Sequence, residues 1–415
     1  MSGTEAGIRA LEAWFVRETV EGTTPVNPDW LRFSDELDSV SFAPNSNNFE
    51  RHKIGSPDPT GFSLGPEDHE LSVVYSMQRW LAGAGPVPLD ASADGMLRDT
   101  DGGYLSTHSV LTRQDFATGG NDAGGYVIYT YGKGCVISSA KVGGDPGSGD
   151  PSKVDISYTP SKARSYRIDQ LVATGTLDVV SDSALDTTQS VTIESLDGTV
   201  SETLGTLTGV TPVVGAQAFD PNDGAAGNGI GFIRLDAECQ GDVTISHGGS
   251  TICVIEGAVT NGGIEGDLGL PEIGTGSYET ALALPFQTIL SASSLRGGSA
   301  LAENVMGLSF EVNNSIDATA VIGSRAKVLN PGNRSITFNA SVFGPTSSHN
   351  DIVAHLKAET GDIVWTFTGG ATARTVTIPG SVLQTPGARN YEKGAATMKR
   401  DNAFVGTGIT ITTGL

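Results

Sequence analysis

Cysteine is scarce, with three in 415 residues. Cys135, Cys239 and Cys253 are too few and too scattered for a disulfide framework, and no C-x-x-C pair marks a zinc site. Buried free thiols are the expectation. Lysine is scarce as well: nine of the 25 basic residues are Lys, against 47 Asp and Glu, and the formal net charge is −22. This balance argues against a basic groove that grips nucleic acid. It fits solubility by self-repulsion, and the shortage of lysine points to a halophilic source, where salt screens that repulsion. No apolar run approaches the ~20 residues that span a bilayer, so no membrane contact is expected. The opening "MSGTEAGIRALEAWF" has no basic start leading into an apolar stretch. A soluble protein made in the cytoplasm is the expectation.

Glycine is plentiful (55), while aromatics make up 7% and charged residues 17%, a composition of strands and turns more than of helical bundles. Three segments follow. Residues 1–171 carry the aromatic anchors Trp14, Phe15, Trp30 and Phe33. They also contain "GPEDHELSVVYSMQRWLAG", where Leu71, Val74, Met77 and Leu81 recur at helical spacing before Gly83. The strands "GGYVIYTYGKGCVISSAKV" and "KVDISYTPSKARSYRID" come next. Residues 172–257 read as an inserted β-sandwich, with an Asp197-Gly198 turn in "SVTIESLDGTVSETLGTL" and another near His247-Gly248-Gly249.

Residues 258–415 hold two well-alternating strands, "MGLSFEV" and "SITFNASV", joined by more than twenty residues. A second helix is expected over residues 347–361, with Ile352, Val353 and Leu356 as its stripe and Gly361 as its stop. Further strands surround it. The fold class expected is therefore α+β, mostly β.

The phrase "GLSFEVNNSIDATAVIGSRAKVLNPGNRSITFNASV" resembles a recurring one in the tail tube proteins (major tail proteins) of long-tailed double-stranded DNA viruses. The opening "EGTTPVNPDWLRF", with Gly22, Pro25 and Trp30, and "KARSYRID" are similar to that family too. The resemblance covers about two thirds of the chain and leaves out the middle segment. It implies two packed antiparallel sheets with a flanking helix, and an immunoglobulin-like module, here inserted within the fold where such modules more commonly follow it. It implies hexameric rings stacked into a conduit for DNA in the virion tail. The partners implied are further copies, a tape-measure protein in the lumen, and tail-end and neck proteins.

On this view the polar faces of the two strands line a wet lumen. Ile316, Val321, Ile322, Val328 and Leu329 of the long connection, with Arg325, Lys327 and Arg334, reach an adjacent subunit.

Chemistry-bearing patterns are few. In "DASADGMLRDTD", Asp90, Ser92, Asp94, Gly95, Leu97 and Asp101 follow a calcium-loop spacing, but "GAGPVP" breaks the incoming helix and Asp replaces the bidentate Glu. An acidic surface loop is expected there, as around Asp220, Asn222 and Asp223. Ser138 with Lys141 and Ser324 with Lys327 match S-x-x-K outside the helix that such a nucleophile needs. "GKG" at 132–134 and "GNGIG" at 227–231 lack nucleotide-loop spacing, and His349 and His355 read as surface residues. No catalytic constellation forms, so no enzyme and no cofactor are expected. The alternative is a β-sandwich surface or receptor-binding protein that recognises carbohydrate or a host surface, although the middle segment has only Phe219 and Phe232 as aromatics.

Overall fold

The computed structural model describes residues 7–44, 49–52, 59–63, 68–77, 99–100, 104–105, 107–118, 121–144, 151–221, 229–259, 266–271, 287–288, 295–296, 299–300, 305–320, 327–330, 332–343, 356–357, 360–368, 374–385, 399–407 and 410–413. Among them every extended element is a strand, every pairing is antiparallel, and helical geometry is confined to Leu356. The expected α+β class and its flanking helix are therefore corrected to all-β.

Leu71, Val74 and Met77 do not line a helix. Glu70–Ser76 is a strand, burying Leu71, Val73 and Tyr75 on alternate positions. The helical spacing was coincidental: the period-2 set Leu71, Val73, Tyr75, Met77 overlaps it, and Val73-Val74-Tyr75 favours the pleated backbone. Leu81 and Gly83 lie outside the described residues. Most of the second expected helix does too; Leu356 is helical but 78% exposed, not part of a buried stripe, and Thr360 and Gly361 open the strand Thr360–Thr368.

One 24-residue strand, Asn121–Gly144, organises the main body. Its first half lies between His108–Thr118 and Lys162–Asp169, its second half between Lys153–Thr159 and Val305–Asn313. It thus belongs to two sheets. The change falls at Gly132-Lys133-Gly134, where the register with His108–Thr118 shifts and Gly134 takes φ +57°. Positive φ is cheap only for glycine, and a bulged strand bends there.

The smaller sheet runs Leu31–Arg32, Gly7–Arg17, His108–Thr118, Asn121–Gly144, Lys162–Asp169. Both of its faces are covered, which explains the nearly unbroken apolar run Ala13-Trp14-Phe15-Val16. Ala13, Phe15 and Val110 join a core with Phe33, Tyr75, Tyr158, Phe310 and Phe338 of the broad sheet and its flanks. Phe33 stands 4.7 Å from Phe15 and 5.5 Å from Tyr75, ring to ring. Trp14, Leu111, Val127, Tyr129, Tyr166 and Ile168, facing the other way, join the core of the middle module.

That module has a four-stranded sheet (Val213–Val214, Asp178–Ser181, Val243–His247, Ser250–Ile255) and a three-stranded one (Ser201–Leu204, Val191–Ser195, Ile230–Leu235). Residues 266–270 extend it past residue 257, through Leu235 N–H to Leu268 O and Leu270 N–H to Ile233 O. Gln170 fastens it to the main body, accepting the Ile230 N–H at 2.8 Å and donating to the Ile230 carbonyl at 2.9 Å.

The long connection after Val305–Asn313 is folded. Asp317–Ala320 pairs with Lys327–Asn330 as a ribbon. Ile316 and Leu329 pack on Val136 of the same chain, and Lys327, 8% exposed, pairs with Asp68 at 2.9 Å. Arg334 Nε donates to Asn314 Oδ1 at 3.1 Å. These side chains were expected to serve a neighbouring subunit and are engaged at home. Val328 remains 46% exposed, and Val321, Ile322 and Arg325 lie outside the described residues.

Candidate functional site

The broad sheet continues from Leu37–Ala43 through Glu70–Ser76, Lys153–Thr159, the second half of Asn121–Gly144, Val305–Asn313, Ser335–Phe343, Lys399–Gly406 and Arg374–Thr385 to Thr360–Thr368. Its register sorts the side chains into two faces. Tyr75, Val154, Val142, Phe310, Phe338, Phe404 and Leu383 stand opposite one another across seven strands, all buried.

The neighbouring row faces outward. It reads Ser39, Val74, Asp155, Lys141, Glu311, Thr337, Val405, Val382, Thr360, all exposed or half-buried. A second row is Ser41, Ser72, Ser157, Ser139, Asn313, Ser335, and a third is Lys153, Gly143, Ser309, Asn339, Ala403.

The outward face is thus mostly small and polar, with Val74, Val405 and Val382 half-buried among the polar side chains. Lys141 stands between Asp155 and Glu311 on adjacent strands, opposite charges side by side. Lys153 pairs with Asp38 at 2.6 Å, Ser41 and Ser72 share a 2.8 Å hydrogen bond, and Ser341 bonds the Asp401 carboxylate. Such a surface holds water and carries no concentration of positive charge for phosphate.

Ser309, Glu311, Thr337, Asn339 and Ser341, the polar alternates of the two strands, all belong to this face. Sequence reasoning found them by period 2 but missed Asp155 and Lys141, whose place depends on non-local pairing. It also missed Glu18, 6% exposed, whose Oε1 accepts Gly134 N–H at 2.9 Å and Ser109 Oγ–H at 2.7 Å while Oε2 accepts Gly22 N–H at 2.8 Å. The glycines flanking Lys133, taken only as a failed nucleotide motif, were the available signal for this corner.

Of the other singled-out residues, Ser138 donates to Ser157 O at 3.0 Å, and Asp220 accepts Thr174 Oγ1–H at 2.6 Å. Gly231 sits where a Cβ would meet Leu196 backbone at 2.7 Å, a close approach of two chain segments. Asp90, Ser92, Asp94, Gly95, Leu97, Asp101, Asn222, Asp223, Ser324, His349 and His355 lie outside the described residues. Among the described residues no three His, Cys, Asp or Glu side chains converge as a metal site. Cys135, Cys239 and Cys253 are free and buried, and burial pushes the Cys239 and Cys253 thiols up to about 12.

No family model matches the chain, and no curated protein matches it.

Proposed function

We propose that the protein is a structural subunit that self-assembles into stacked, six-membered rings, forming the tail tube through which a long-tailed virus passes its DNA. The observation that carries this is the outward face of the broad sheet: nine strands wide, mostly small and polar, with more carboxylates than cations. A conduit must let a polyanion slide. Serine, threonine and asparagine keep the wall wet, and the alternation Asp155, Lys141, Glu311 denies phosphate a run of cations.

The edges support self-assembly. Among the described residues Leu37–Ala43 pairs only with Glu70–Ser76, leaving its other edge for a strand of a second copy. The quoted phrase from Gly307 to Val342 adds its resemblance to the tail tube family. On this reading the partners are further copies, a tape-measure protein in the lumen, tail-end and neck proteins, and DNA in transit without sequence-specific contacts. The protein is made in the host cytoplasm and ends in the virion tail, without catalysis or cofactor.

Negative-stain electron microscopy of the purified protein tests the proposal. Rings or tubes with a central channel are expected; dispersed particles at every concentration and salt would overturn it.

A further inference from the structure

A cleft of about 420 Å³ lies where the edge strand Leu37–Ala43, the strand Lys162–Asp169 and the module's Ser250–Ile255 strand converge. One wall is aromatic: Phe42 and His69 stand 5.4 Å apart, ring to ring, at 52°. The polar lining holds the ion pair Arg164–Asp267 at 3.5 Å, with side chains 13% and 10% exposed. Glu256 is exposed at the rim.

Tyr166, 5% exposed, lines the same cleft, with its hydroxyl turned to the Asp267 carboxylate. Burial, then the Asp267 carboxylate, push the Tyr166 pKa well up, so the hydroxyl stays a donor. A ligand hydroxyl entering here meets a phenol that donates and carboxylates that accept.

Three ligand classes fit badly. A purely apolar ligand strips water from the ion pair and from Glu256 without replacing it. A simple anion meets Asp267 and Glu256, and a simple cation meets Arg164. What fits is a neutral ring with an apolar face for Phe42 and His69, and hydroxyls that both donate to carboxylates and accept from Tyr166 and Arg164.

We propose that this cleft binds a carbohydrate ring. The volume suits one or two sugar units. The module alone offers no stacking platform, since Phe219 is fully buried and Phe232 packs 5.5 Å from Tyr129. The cleft takes its aromatics from the main body, so the site exists only where module and body meet. The inference is independent of the tube reading.

Saturation-transfer NMR on the full chain tests it, with glucose, galactose, mannose and N-acetylglucosamine as probes and glucuronate and inorganic phosphate as anionic controls. At least one neutral sugar is expected to bind with a Kd of about 1 mM. Phe42→Ala should weaken that binding about tenfold and Tyr166→Phe roughly three- to tenfold. Val254→Arg, at a position 44% exposed, should block the cleft without touching the core, and Val210→Ser, outside the cleft lining, should change nothing. Urea midpoints confirm that each variant is folded.

The proposal is overturned if no neutral sugar binds, if only glucuronate and phosphate do, or if Val254→Arg binds like the wild type. Hydrogen-exchange protection at the cleft on self-assembly, without any sugar binding, would make it a contact between copies and would equally overturn it.

Discussion

Glu18 reaches across 116 residues of sequence to accept the N–H of Gly134 at 2.9 Å. The same carboxylate accepts from Ser109 and Gly22, so three donors from three segments converge on one buried side chain. This clamp holds the corner at which the long strand leaves one sheet for the other. Removing it leaves the buried Gly134 N–H unanswered and loosens Ser109, which keeps its 2.8 Å bond to Thr24, and the half-buried Gly22. Glu18→Ala is expected to cost about 3 kcal/mol. Gly134→Ala should cost at least 1–2 kcal/mol, because φ is +57° there and an added Cβ collides with the Ser161 side chain. Urea unfolding checks both; an unshifted midpoint in either variant would contradict the clamp.

Glu21 lies close by. Burial, then the Glu18 charge, raise its pKa above the usual carboxylate value. A raised folded pKa means the fold disfavours the ionised form. The stability Glu21 allows is fully present below the unfolded pKa and is lost as pH rises through the folded pKa. Glu21→Gln removes that loss. The variant should match the wild type at pH 3 and be modestly more stable at pH 7. A wild type that gains on the variant as pH rises would reverse the sign.

The strands whose polarity alternates were legible because each buries one face locally: Leu308, Phe310 and Val312 announce themselves. The strand at Glu70–Ser76 was misread because its buried set also satisfies a helical spacing, and only pairing with Lys153–Thr159 decides between them. Lys133 between two glycines signalled a backbone peculiarity, but not that a strand changes sheets there. The outward row Asp155, Lys141, Glu311 joins residues separated by long stretches of chain, so no local pattern could assemble it. Tyr129 and Ile168 lie in strands that the pattern shows, but that their core is shared with the inserted module needs three dimensions.

That shared core bears on modularity. Replacing residues 172–270 with a Gly-Ser linker uncovers Val127, Tyr129, Tyr166 and Ile168 on one face of the smaller sheet. Each large apolar side chain so exposed forfeits about 1.5–3 kcal/mol of burial. The excised protein should melt well below the wild type or aggregate, and Val127→Thr with Ile168→Thr should restore part of its solubility. Thermal melting and light scattering decide; a bare excision that stays soluble with an unchanged midpoint would refute the shared-core argument.

Salt should matter to the whole chain. With 47 carboxylates against 25 basic side chains, net repulsion opposes compaction, and ions screen it within about 10 Å at 0.1 M. The melting temperature is expected to climb between dilute buffer and molar potassium chloride. A flat or falling curve would remove the link to a saline source and leave the assembly proposal untouched.

The ribbon formed by Asp317–Ala320 and Lys327–Asn330 is tied to its own subunit. Its anchors are internal. Asn314 donates through Nδ2 to Ile137 O and through its N–H to Ser138 O, both at 2.8 Å. The Lys327 N–H donates to Ser161 O at 3.2 Å, and its ammonium pairs with Asp68. The Lys327 side chain is 7% exposed but that of Asp68 is 48%, so solvent screens the pair and a double-mutant cycle between Asp68→Asn and Lys327→Ala should give a coupling of about 1 kcal/mol. Lys327→Ala alone should cost more than Asp68→Asn, since it also removes a buried stem that packs against its neighbours. In the dispersed protein, amides 327–330 should already be protected from hydrogen exchange, and assembly should add protection mainly at Val328, whose side chain is 46% exposed. Free exchange throughout 327–330 before assembly would show that the ribbon folds only against a second copy, which returns its basic and apolar side chains to the interface.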